Sequence, residues 1–596
     1  MSGGFFQSEG KINVAQNDIR ISAENGLSFT QDQVVGLYIP PSVKYFSGKD
    51  CYLQFDATIT GDWSDAEIEQ TRLTLDGEIG ANSLFSQLRV YAGNRETLLE
   101  ENTEYASYVS VKYNFDKDDV IQKKRALTEG CGNWVPNTRG TMGTTKSVTN
   151  DYVYCPYIEQ VNGGNANSAE ASVETAPNFI PAKITIPIHS GLFSENEKVF
   201  PNLLTNGIYL EFTMAGNRNL FRQFDGAIRD RRLWLNPCFH EKTGGGAWAD
   251  GTAITGFSVK WFNNQKLPQN FPFIVGEKLN WAKKTGEVDL TGGNIGDPGN
   301  AIITKIEVNG DDYLEVTLTG TGPVNNSGEE VNGDWFVYSG SLKHATAGAS
   351  FQPSCKIENV ELIVHEIQMS PEYERGMLAK VRENGGVVRF DYPSVAVQRH
   401  STLKEEVQAS IPIHLDYARA KGVMCMPTDA TLYKCQHQTS ATGTYMITKD
   451  RDGYFEDMEL RSNRTGLEGC SNGLSEYSFF LNGKMVPSRP INTTKTTTKD
   501  GGIDANFIVE LEKCLVSFGI DPKSFEYYNR NFLVGRMLAI GENAVFDGRG
   551  RTARLDLKYE GTDADYNQPS VNLLWKIFVS HLRTLVIRAN DIQVEM

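Results

Sequence analysis

Positions 425 to 473 hold the side chains with the best potential for chemistry. Residues 469–473 read Gly-Cys-Ser-Asn-Gly and match the GxSxG pattern of serine hydrolases. A nucleophilic serine of that kind lies between a strand and a helix. Here a polar stretch precedes Ser471, strand-like sequence follows it, and His581 is the only histidine downstream that could act as its base. The pattern therefore indicates a glycine-rich loop.

Three carboxylates in the same region, Glu456, Asp457 and Glu459, could suggest the paired acids of a glycoside hydrolase. On a strand, Asp457 and Glu459 would share a face and Glu456 would point the other way. Their surroundings are polar and densely charged, which is typical of a solvated loop. We interpret these carboxylates as loop charges.

Cys425, Cys435 and His437 are the nearest approach to a metal-binding set. A zinc site needs four ligands at a recognisable spacing, and the fourth ligand is missing here. We interpret the cysteines as core residues and the histidine as a surface residue. The sequence also lacks the P-loop, the dinucleotide-binding motif and the HExxH zinc motif. We therefore predict no catalytic residue, no metal ligand and no cofactor, and a protein that is not an enzyme.

Length and charge limit the number of domains and the kind of partner. At 596 residues the chain exceeds the roughly 250–300 residues at which one core stops growing, so two or more domains are expected. Its 58 lysines and arginines against 74 aspartates and glutamates give a net charge of −16. Broad nucleic-acid binding needs clustered cations, and the longest basic runs, at 123–125 and 229–232, are short. We therefore expect no direct binding of nucleic acid.

The cysteines and the start of the chain bear on where the protein is made. The nine cysteines are odd in number and scattered, which argues against a disulfide framework and suits a reducing compartment. The first residues lack the basic and then apolar layout of a secretion signal. No apolar run approaches ~18 residues, the length that spans a membrane. We expect a protein that is assembled in the cytoplasm or nucleus and is not secreted.

The elements that must position these side chains are mostly strands, and the stretch 184–216 shows the pattern most fully. Its first and last thirds carry an apolar residue at every second position, which is typical of half-buried strands. Pro187 makes the first strand an edge strand or ends it there. A short helical turn around Leu203, closed by Asn206-Gly207, separates the two strands. Such a connection is typical of a β-sandwich in which the chain steps between sheets.

Alternation predicts further strands in both halves of the chain. They are expected at Gln33–Ile39, Cys51–Ile59, Ser83–Tyr91, Asn359–Met369, Val387–Val397, Val407–His414, Gly422–Met426, Tyr477–Pro487, Ala553–Tyr559, Leu573–Val579, Thr584–Arg588 and Ile592–Val594. The motif I-P-I-H occurs twice, at Ile186–His189 and Ile411–His414. Because the two copies fall at different places in the expected strand order, we interpret the repeat as coincidence.

Two helices and several excursions interrupt the strands. One helix begins at Ser370-Pro371, an N-cap serine with proline at the first position, and ends at Gly385-Gly386. A second is capped by Asp504 and ends at Gly519. Residues 1–26 are weakly patterned and are interpreted as an arm. The segments 114–180, 217–355 and 428–472 are polar and are expected to be long excursions.

Taken together, these segments resemble the double jelly-roll major capsid proteins, the lineage of adenovirus hexon, large eukaryotic DNA viruses, virophages and polinton-like viruses. The I-P strand, the F-P-x-L-L segment and the alternating strand of 184–216 are similar to the E-to-F passage of the first jelly roll. Residues 83–105, with V-Y-x-G before L-L-E-E, resemble the D-strand hairpin. A strand, a helix with Glu374-Arg375 and a V-V-R-F segment resemble the connection between the two jelly rolls. Residues 477–487 resemble a strand-turn-strand of the second.

The resemblance implies an all-β fold of two consecutive eight-stranded jelly-roll β-sandwiches, with long loop insertions and a few short helices. It implies an N-terminal arm at 1–26 and a first jelly roll at 27–370 that holds a β-rich insertion at about 217–355. A helical linker at 371–385 and a second jelly roll at 386–596 would follow. The insertion is expected to form an exterior tower. The alternative is that it packs laterally and helps to close a trimer through Trp248, Trp261 and Trp281.

The implied function is that of a viral major capsid protein. Such proteins form pseudo-hexameric homotrimeric capsomers that tile an icosahedral capsid. The implied partners are further copies of the chain, neighbouring capsomers and minor capsid or penton proteins. The implied location is the virion, after assembly in the host cytoplasm or nucleus.

Two other classes of function stay open. A carbohydrate-binding or carbohydrate-acting β-sandwich would work through stacked aromatic rings and a carboxylate pair, and it predicts a secretion signal that the sequence lacks. A viral spike or fibre predicts sequence repeats, and the sequence shows none.

Overall fold

The computed structural model of the chain describes residues 13–61, 71–75, 79–131, 160–161, 178–179, 182–216, 221–225, 234–235, 256–260, 279–283, 288–289, 302–309, 313–319, 335–339, 353–430, 446–447, 467, 469, 474–493, 505–523, 532–539, 544–559, 572–588 and 591–595. Strands make up most of these ranges. No helix within them is long and apolar enough to cross a membrane.

Eight strands of the first half form a sandwich of two antiparallel sheets. They are β1 (Asn13–Ser22), β2 (Val34–Ile39), β3 (Tyr52–Gly61), β4 (Phe85–Ala92), β5 (Thr97–Asn102), β6 (Ala182–Pro187), β7 (Ile208–Met214) and β8 (Pro353–Met369). One sheet has the order β1-β8-β3-β6 and the other the order β2-β7-β4-β5. Each strand sends alternate residues inward; in β3, Leu53 and Phe55 are buried and Gln54 and Asp56 lie on the outer face.

Eight strands of the second half form another sandwich. They are β9 (Val388–Thr402), β10 (Gln408–His414), β11 (Ala420–Asp429), β12 (Glu476–Leu481), β13 (Lys484–Met485), β14 (Val534–Met537), β15 (Thr552–Lys558) and β16 (Leu573–Arg588). Their sheet orders are β9-β16-β11-β14 and β10-β15-β12-β13. Position by position, this is the order of the first sandwich.

Both sandwiches are jelly rolls. In a jelly roll, strands named B to I along the chain form one sheet of order B-I-D-G and one of order C-H-E-F. Assigning B to I to β1–β8 and to β9–β16 gives these two orders in each half. The chain is therefore a double jelly roll, as predicted. The repeated I-P-I-H ends the G strand of the first sandwich and lies in the C strand of the second, so the two copies occupy non-equivalent positions.

The strand order corrects three assignments made from the sequence. The passage 184–216 joins strands of different sheets, as expected, but these are G and H rather than E and F. The hairpin of β4 and β5 is E–F rather than a D-strand hairpin. The excursion 217–355 consequently leaves between H and I rather than after F. Alternation identifies a strand, whereas its letter depends on pairing with distant strands such as β1 and β8.

Two further segments differ from the sequence prediction. Asn13–Ser22, which was assigned to an arm, pairs along its length with β8 and forms the B strand. Its inward residues Ile19 and Ile21 are only half-buried, so its alternation is weak in the sequence. The excursion expected at 114–180 begins with helical structure, because α1 (Tyr105–Phe115) and α2 (Asp119–Thr128) follow β5.

Two other helices lie where the sequence placed them. In α3 (Pro371–Glu383), Ser370 Oγ accepts a hydrogen bond from the Tyr373 amide at 3.2 Å, and the expected N-cap is confirmed. The φ angles of Gly385 and Gly386, 69° and 79°, end the helix. In α4 (Ala505–Ser517), Phe507, Leu511 and Leu515 form the buried stripe.

Shorter strands complete the described structure. They are Ser28–Phe29, Phe46–Ser47, Thr71–Leu75, Gln160–Val161, Asn178–Phe179, Val199–Phe200, Phe221–Asp225, Trp234–Leu235, Gly256–Lys260, Leu279–Lys283, Val288–Asp289, Ile302–Asn309, Tyr313–Thr319, Trp335–Ser339, Met446–Ile447, Ile491–Asn492 and Asp591–Glu595. Within 217–355 they form two three-stranded sheets. Val288–Asp289 pairs with Met446–Ile447, so the excursions of the two sandwiches meet.

Each sandwich encloses its own apolar core, and each core also takes residues from the other half. Phe390, Tyr392 and Leu585 of the second half are buried in the first core. Tyr108 and Phe115, both from α1, are buried in the second core. Separating the two sandwiches would expose these apolar side chains to water, which is unfavourable. The two sandwiches therefore pack as one unit.

Candidate functional site: the joint between the two sandwiches

The residues singled out for possible chemistry do not come together in the described structure. Gly469 packs closely against the second core, where its carbonyl accepts a hydrogen bond from the Phe532 amide at 3.1 Å. Cys425 is buried in that core, and burial raises the pKa of its thiol well above the ordinary value. Residues 470–473, Cys435, His437 and the carboxylates at 456, 457 and 459 lie outside the described residues.

His581, the histidine considered as a catalytic base, is a core residue. Its ring stacks on Tyr417 with a centroid distance of 4.2 Å, and Arg583 Nε lies 3.0 Å from its Nε2. Burial and the charge of Arg583 lower its pKa to about 4. A neutral imidazole between two fixed neighbours is a structural element of the core.

The residues that are brought together lie where the two sandwiches meet, a region that we call the joint. Strands β9 and β16 form a long antiparallel pair. The end of this pair that holds Phe390 and Leu585 extends beyond the second sandwich and is buried in the first core. At that end Phe390 packs edge-on against Phe200 of the first sandwich, with ring centroids 5.2 Å apart. In the opposite direction, Tyr108 of α1 contacts Phe578 of β16 at 5.9 Å. Each sandwich thus inserts an element into its neighbour.

The backbones approach most closely at Gly191, in the connection after β6. A β-carbon at this position would lie 1.6 Å from the carbonyl oxygen of Pro393 in β9. Any other residue would have to push the two sandwiches apart. The requirement for glycine here is therefore set by the distance between the sandwiches.

A buried ion cluster spans the joint beside α1. Lys576 of β16 is fully buried, and its Nζ lies 3.0 Å from Glu104 Oε2 and donates a hydrogen bond to Ser107 Oγ. Arg399 of β9 contacts the other Glu104 oxygen at 2.6 Å. Burial opposes ionisation of Glu104, but the charges of Lys576 and Arg399 outweigh it and lower the pKa of this carboxyl. Glu104 is therefore an anion that holds both long strands.

A second buried carboxyl, Glu100 at the end of β5, organises the connection that contains Gly191. It accepts hydrogen bonds from Ser190 Oγ and from the amides of Gly191 and Leu192, the last two at 3.0 and 3.3 Å. Burial raises the pKa of Glu100 to about 7. The cavity beside it has a volume of about 20 Å³, which is the size of one water molecule and too small for a substrate.

A third buried carboxyl, Glu129, lies below α1. The Tyr113 hydroxyl sits between Glu129 Oε2 and His189 Nε2, 2.9 Å from the latter, and Asn82 donates to Glu129 at 2.9 Å. The guanidinium of Arg125 lies over the Tyr113 ring at 3.5 Å. Burial raises the pKa of Glu129 to about 7 and lowers the pKa of His189 well below its ordinary value.

Hydrogen bonds to backbone carbonyls complete the joint. Tyr392 Oη and Arg583 Nη1 both donate to the carbonyl of Leu99, at 2.9 and 2.7 Å. Lys198 Nζ donates to the carbonyl of Asp391 at 2.9 Å, and the Asp391 side chain accepts from Arg419 at 2.9 Å. These bonds connect β5 and the β6–β7 connection of the first sandwich to β9 and β16 of the second.

The arrangement is suited to holding an angle rather than to catalysis. In the described ranges no group of three or more His, Cys, Asp or Glu side chains is placed to hold a metal ion. Several polar groups of the joint pair across the two sandwiches, as Glu104 does with Lys576 and Arg399, and such pairs make the relative orientation of the sandwiches specific. Sequence analysis missed this site. The available signal was Lys576, a charge within the apolar strand Leu573–Val579 that must find a buried partner.

Comparisons with known proteins give matches in structure only. No protein-family model matches the chain, and no curated protein matches its sequence. Among solved structures, the chain is similar to the PBCV-1 virus capsid, with a TM-score of 0.45 and 9% identity over 98% of both chains. It is similar to the Faustovirus major capsid protein (TM-score 0.44, 9% identity, 96% of this chain and 90% of that one). It is also similar to a chain of the Sputnik virophage (TM-score 0.44, 10% identity, 98% and 89%).

The strand order of this chain is that of a double jelly roll, and the PBCV-1 and Faustovirus structures to which it is similar are a virus capsid and a major capsid protein.

Proposed function

We propose that this chain is a viral major capsid protein whose homotrimers form pseudo-hexameric capsomers and tile an icosahedral capsid. Its partners would be further copies of itself, neighbouring capsomers and minor capsid or penton proteins, and its location would be the virion. The proposal includes no enzymatic step.

The observation that carries this proposal is the repetition of one strand order in two sandwiches that a buried joint holds together. If each chain held a single sandwich, a ring with six sides would need six chains. Two similar sandwiches in one chain allow three copies to present six similar sides. A trimer can then occupy a lattice position with six neighbours, because its outline approximates a hexagon.

The joint matters for this function because a capsomer needs one fixed angle between its sandwiches. If the two sandwiches could swing, three chains would close into rings of variable shape. Gly191 against Pro393 and Lys576 against Glu104 permit one close arrangement. The buried ions of the joint would therefore act by specifying geometry.

The test is the mass and outline of the purified protein. Three copies of the 66.2 kDa chain give a particle of about 199 kDa by light scattering. Electron microscopy of the same fraction is expected to show a pseudo-hexagonal outline with a threefold axis. A protein that remains monomeric across a wide concentration range, or that assembles with another symmetry, would refute the proposal.

A further inference from the structure

Two buried carboxyls at the joint, Glu100 and Glu129, lie at the two ends of one group of polar side chains. Glu129 contacts the Tyr113 hydroxyl, and that hydroxyl lies 2.9 Å from Nε2 of His189. Ser190, the next residue along the chain, donates a hydrogen bond to Glu100. All five side chains are buried. Direct contacts therefore lead from Glu129 to His189, and Glu100 lies beside the residue that follows it.

The cavity of about 20 Å³ lies between His189 and Glu100. Its lining includes Glu100, Tyr108, His189, Ser190, Glu195 and, from the second sandwich, Val395. Among the described residues, no group hydrogen-bonds the buried Nδ1 atom of His189. Leaving a buried polar atom without a partner is costly, and a water molecule requires about this volume with two or more polar neighbours. The cavity thus has the size and the polar lining that one water molecule needs.

The hydroxyl of Tyr113 connects the protonation of Glu129 to this cavity. A hydroxyl donates one hydrogen bond, so Tyr113 donates either to Glu129 or to His189. When Glu129 is ionised it accepts from Tyr113, Nε2 of the imidazole donates to the hydroxyl, and Nδ1 is an acceptor. When Glu129 is protonated it can donate to Tyr113, which then donates to Nε2, and the proton of the neutral imidazole lies on Nδ1. The state of Glu129 therefore sets whether Nδ1 accepts from the cavity or donates into it.

We propose that one water molecule in the cavity links His189 Nδ1 to Glu100. The resulting chain of hydrogen bonds runs from Glu100 through the water, His189 and Tyr113 to Glu129, and we call it the proton switch. With both carboxyls protonated, each member has a partner and the joint is closed. Ionisation of either carboxyl leaves a negative charge in a buried site, which favours local opening of the joint so that water reaches the charge. Opening affects both sandwiches, because Glu100 holds the connection that touches β9.

The groups around the proton switch decide how strongly its protons are held. They are Glu101, Tyr108, Glu195, Tyr392 and Arg583 around Glu100, Tyr105, Asp116, Arg125 and Cys131 around Glu129 and Tyr113, and Lys112 and Arg125 around His189. Burial raises the pKa of both carboxyls from the ordinary 4.5 to about 7, although the charges of Arg583 and Arg125 oppose this. A raised pKa in the closed joint means that closure is strongest below about pH 5, weakens as pH rises towards 7, and changes little above that.

Val395→Ile in the full-length protein tests the water, because it adds one methylene group beside the cavity. If water occupies the site, the added group displaces it and leaves His189 Nδ1 without a partner, so the melting temperature should fall by a few degrees. Filling an empty cavity would instead raise the melting temperature. Val397→Ile is the matched control, since Val397 lies on the same face of β9, packs on the same core and is outside the cavity lining. A high-resolution crystal structure should show the water within about 3.2 Å of Nδ1 and of a Glu100 oxygen.

Hydrogen exchange at the Gly191 and Leu192 amides, which donate to Glu100, tests the switch itself. After correction for the intrinsic chemical rate, their protection should fall about tenfold or more between pH 5 and pH 7. Glu129→Gln does not alter a partner of these amides, yet it should reduce this pH dependence by roughly half on a logarithmic scale, because one of two linked carboxyls no longer titrates. Glu372→Gln, at an exposed position of α3, is the matched control and should leave the pH dependence unchanged.

Three results would overturn the inference. Protection of the two amides that stays constant from pH 5 to pH 7 would show that the joint does not respond to protons. A Glu129→Gln variant that behaves like Glu372→Gln would show that the two carboxyls are not linked. A Val395→Ile variant that is more stable than the wild type would show that the cavity is dry. Melts at pH 5, where glutamine resembles the protonated carboxyl, confirm that the glutamine variants fold. The proposed capsid function is unaffected in each case, because every measurement concerns contacts within one chain.

Discussion

Replacing Lys576 by methionine is expected to destabilise the protein through the joint. The side chain is fully buried, and its removal leaves the Glu104 carboxylate, 11% exposed, with Arg399 as its cation. Breaking a buried ion pair costs about 3–5 kcal/mol because one charge is left without compensation. Since Arg399 remains and is half-exposed, we expect a loss at the lower end, about 3 kcal/mol. Methionine is similar to lysine in length, so the change leaves little cavity.

The measurement is urea denaturation, with two further variants for comparison. Lys576→Met/Glu104→Met removes both charges and is expected to regain most of the lost stability, because uncharged residues of similar volume replace buried ion pairs at little cost. Arg399→Met removes the exposed partner and is expected to cost about 1 kcal/mol or less. If Lys576→Met lies within about 1 kcal/mol of wild type, or if the double variant is as unstable as the single one, the buried ion pair does not hold the joint.

Three other perturbations have defined outcomes. Glu100 and Glu129 have pKa values of about 7 in the folded protein, so between about pH 5 and 7 they hold protons that the unfolded chain has lost. The free energy of unfolding should therefore fall as pH rises from about 5 to 7, by at most ~1.4 kcal/mol per pH unit for each group. The variant Glu100→Gln/Glu129→Gln should make the melting temperature less dependent on pH between about 5 and 7. An unchanged pH dependence would contradict the raised pKa values of these two carboxyls. Gly191→Ala should lower the free energy of unfolding by about 1–3 kcal/mol, measured by thermal denaturation. The control Gly376→Ala lies in open space on α3 and should raise it by up to ~1 kcal/mol. Similar melting temperatures for the two variants would show that the sandwiches can move apart. Replacing 285–345 with a short Gly-Ser linker should leave trimers intact by light scattering if 217–355 is an exterior tower, and monomeric or insoluble protein would show a structural role.

Strands were predictable where one face is buried and the other is not. Cys51–Ile59 alternates cleanly because its inward residues line the first core and its outward residues face polar surroundings. The same reasoning failed for α1, of which nearly every residue is buried between the sandwiches. A helix buried on all sides has no polar stripe, so its sequence carries no helical period. Because α1 is buried between the two sandwiches, its helical character could not be predicted from its sequence pattern.

The joint could not be predicted because its pairs are distant in sequence. Glu104 and Lys576 are separated by most of the chain, and nothing local to either residue identifies the other. The sequence does show that Lys576 lies within an apolar strand, which is enough to require a buried partner. The register that selects Glu104 follows from the packing of α1 on β16, which depends on the fold of both halves.

The two sandwiches have equivalent interiors and different exteriors. In strand C the inward pair Leu37 and Ile39 corresponds to Ile411 and Ile413, all of them apolar and buried. The outward row Tyr38-Tyr209-Tyr91 corresponds to Pro412-Arg554-Phe480. Both interiors must fill the same shape, so their residue types stay similar. The outer faces do not have to fill a shared shape, so their residue types differ. The repeat is therefore visible in strand order and concealed in the sequence, because only the inward positions keep similar residue types.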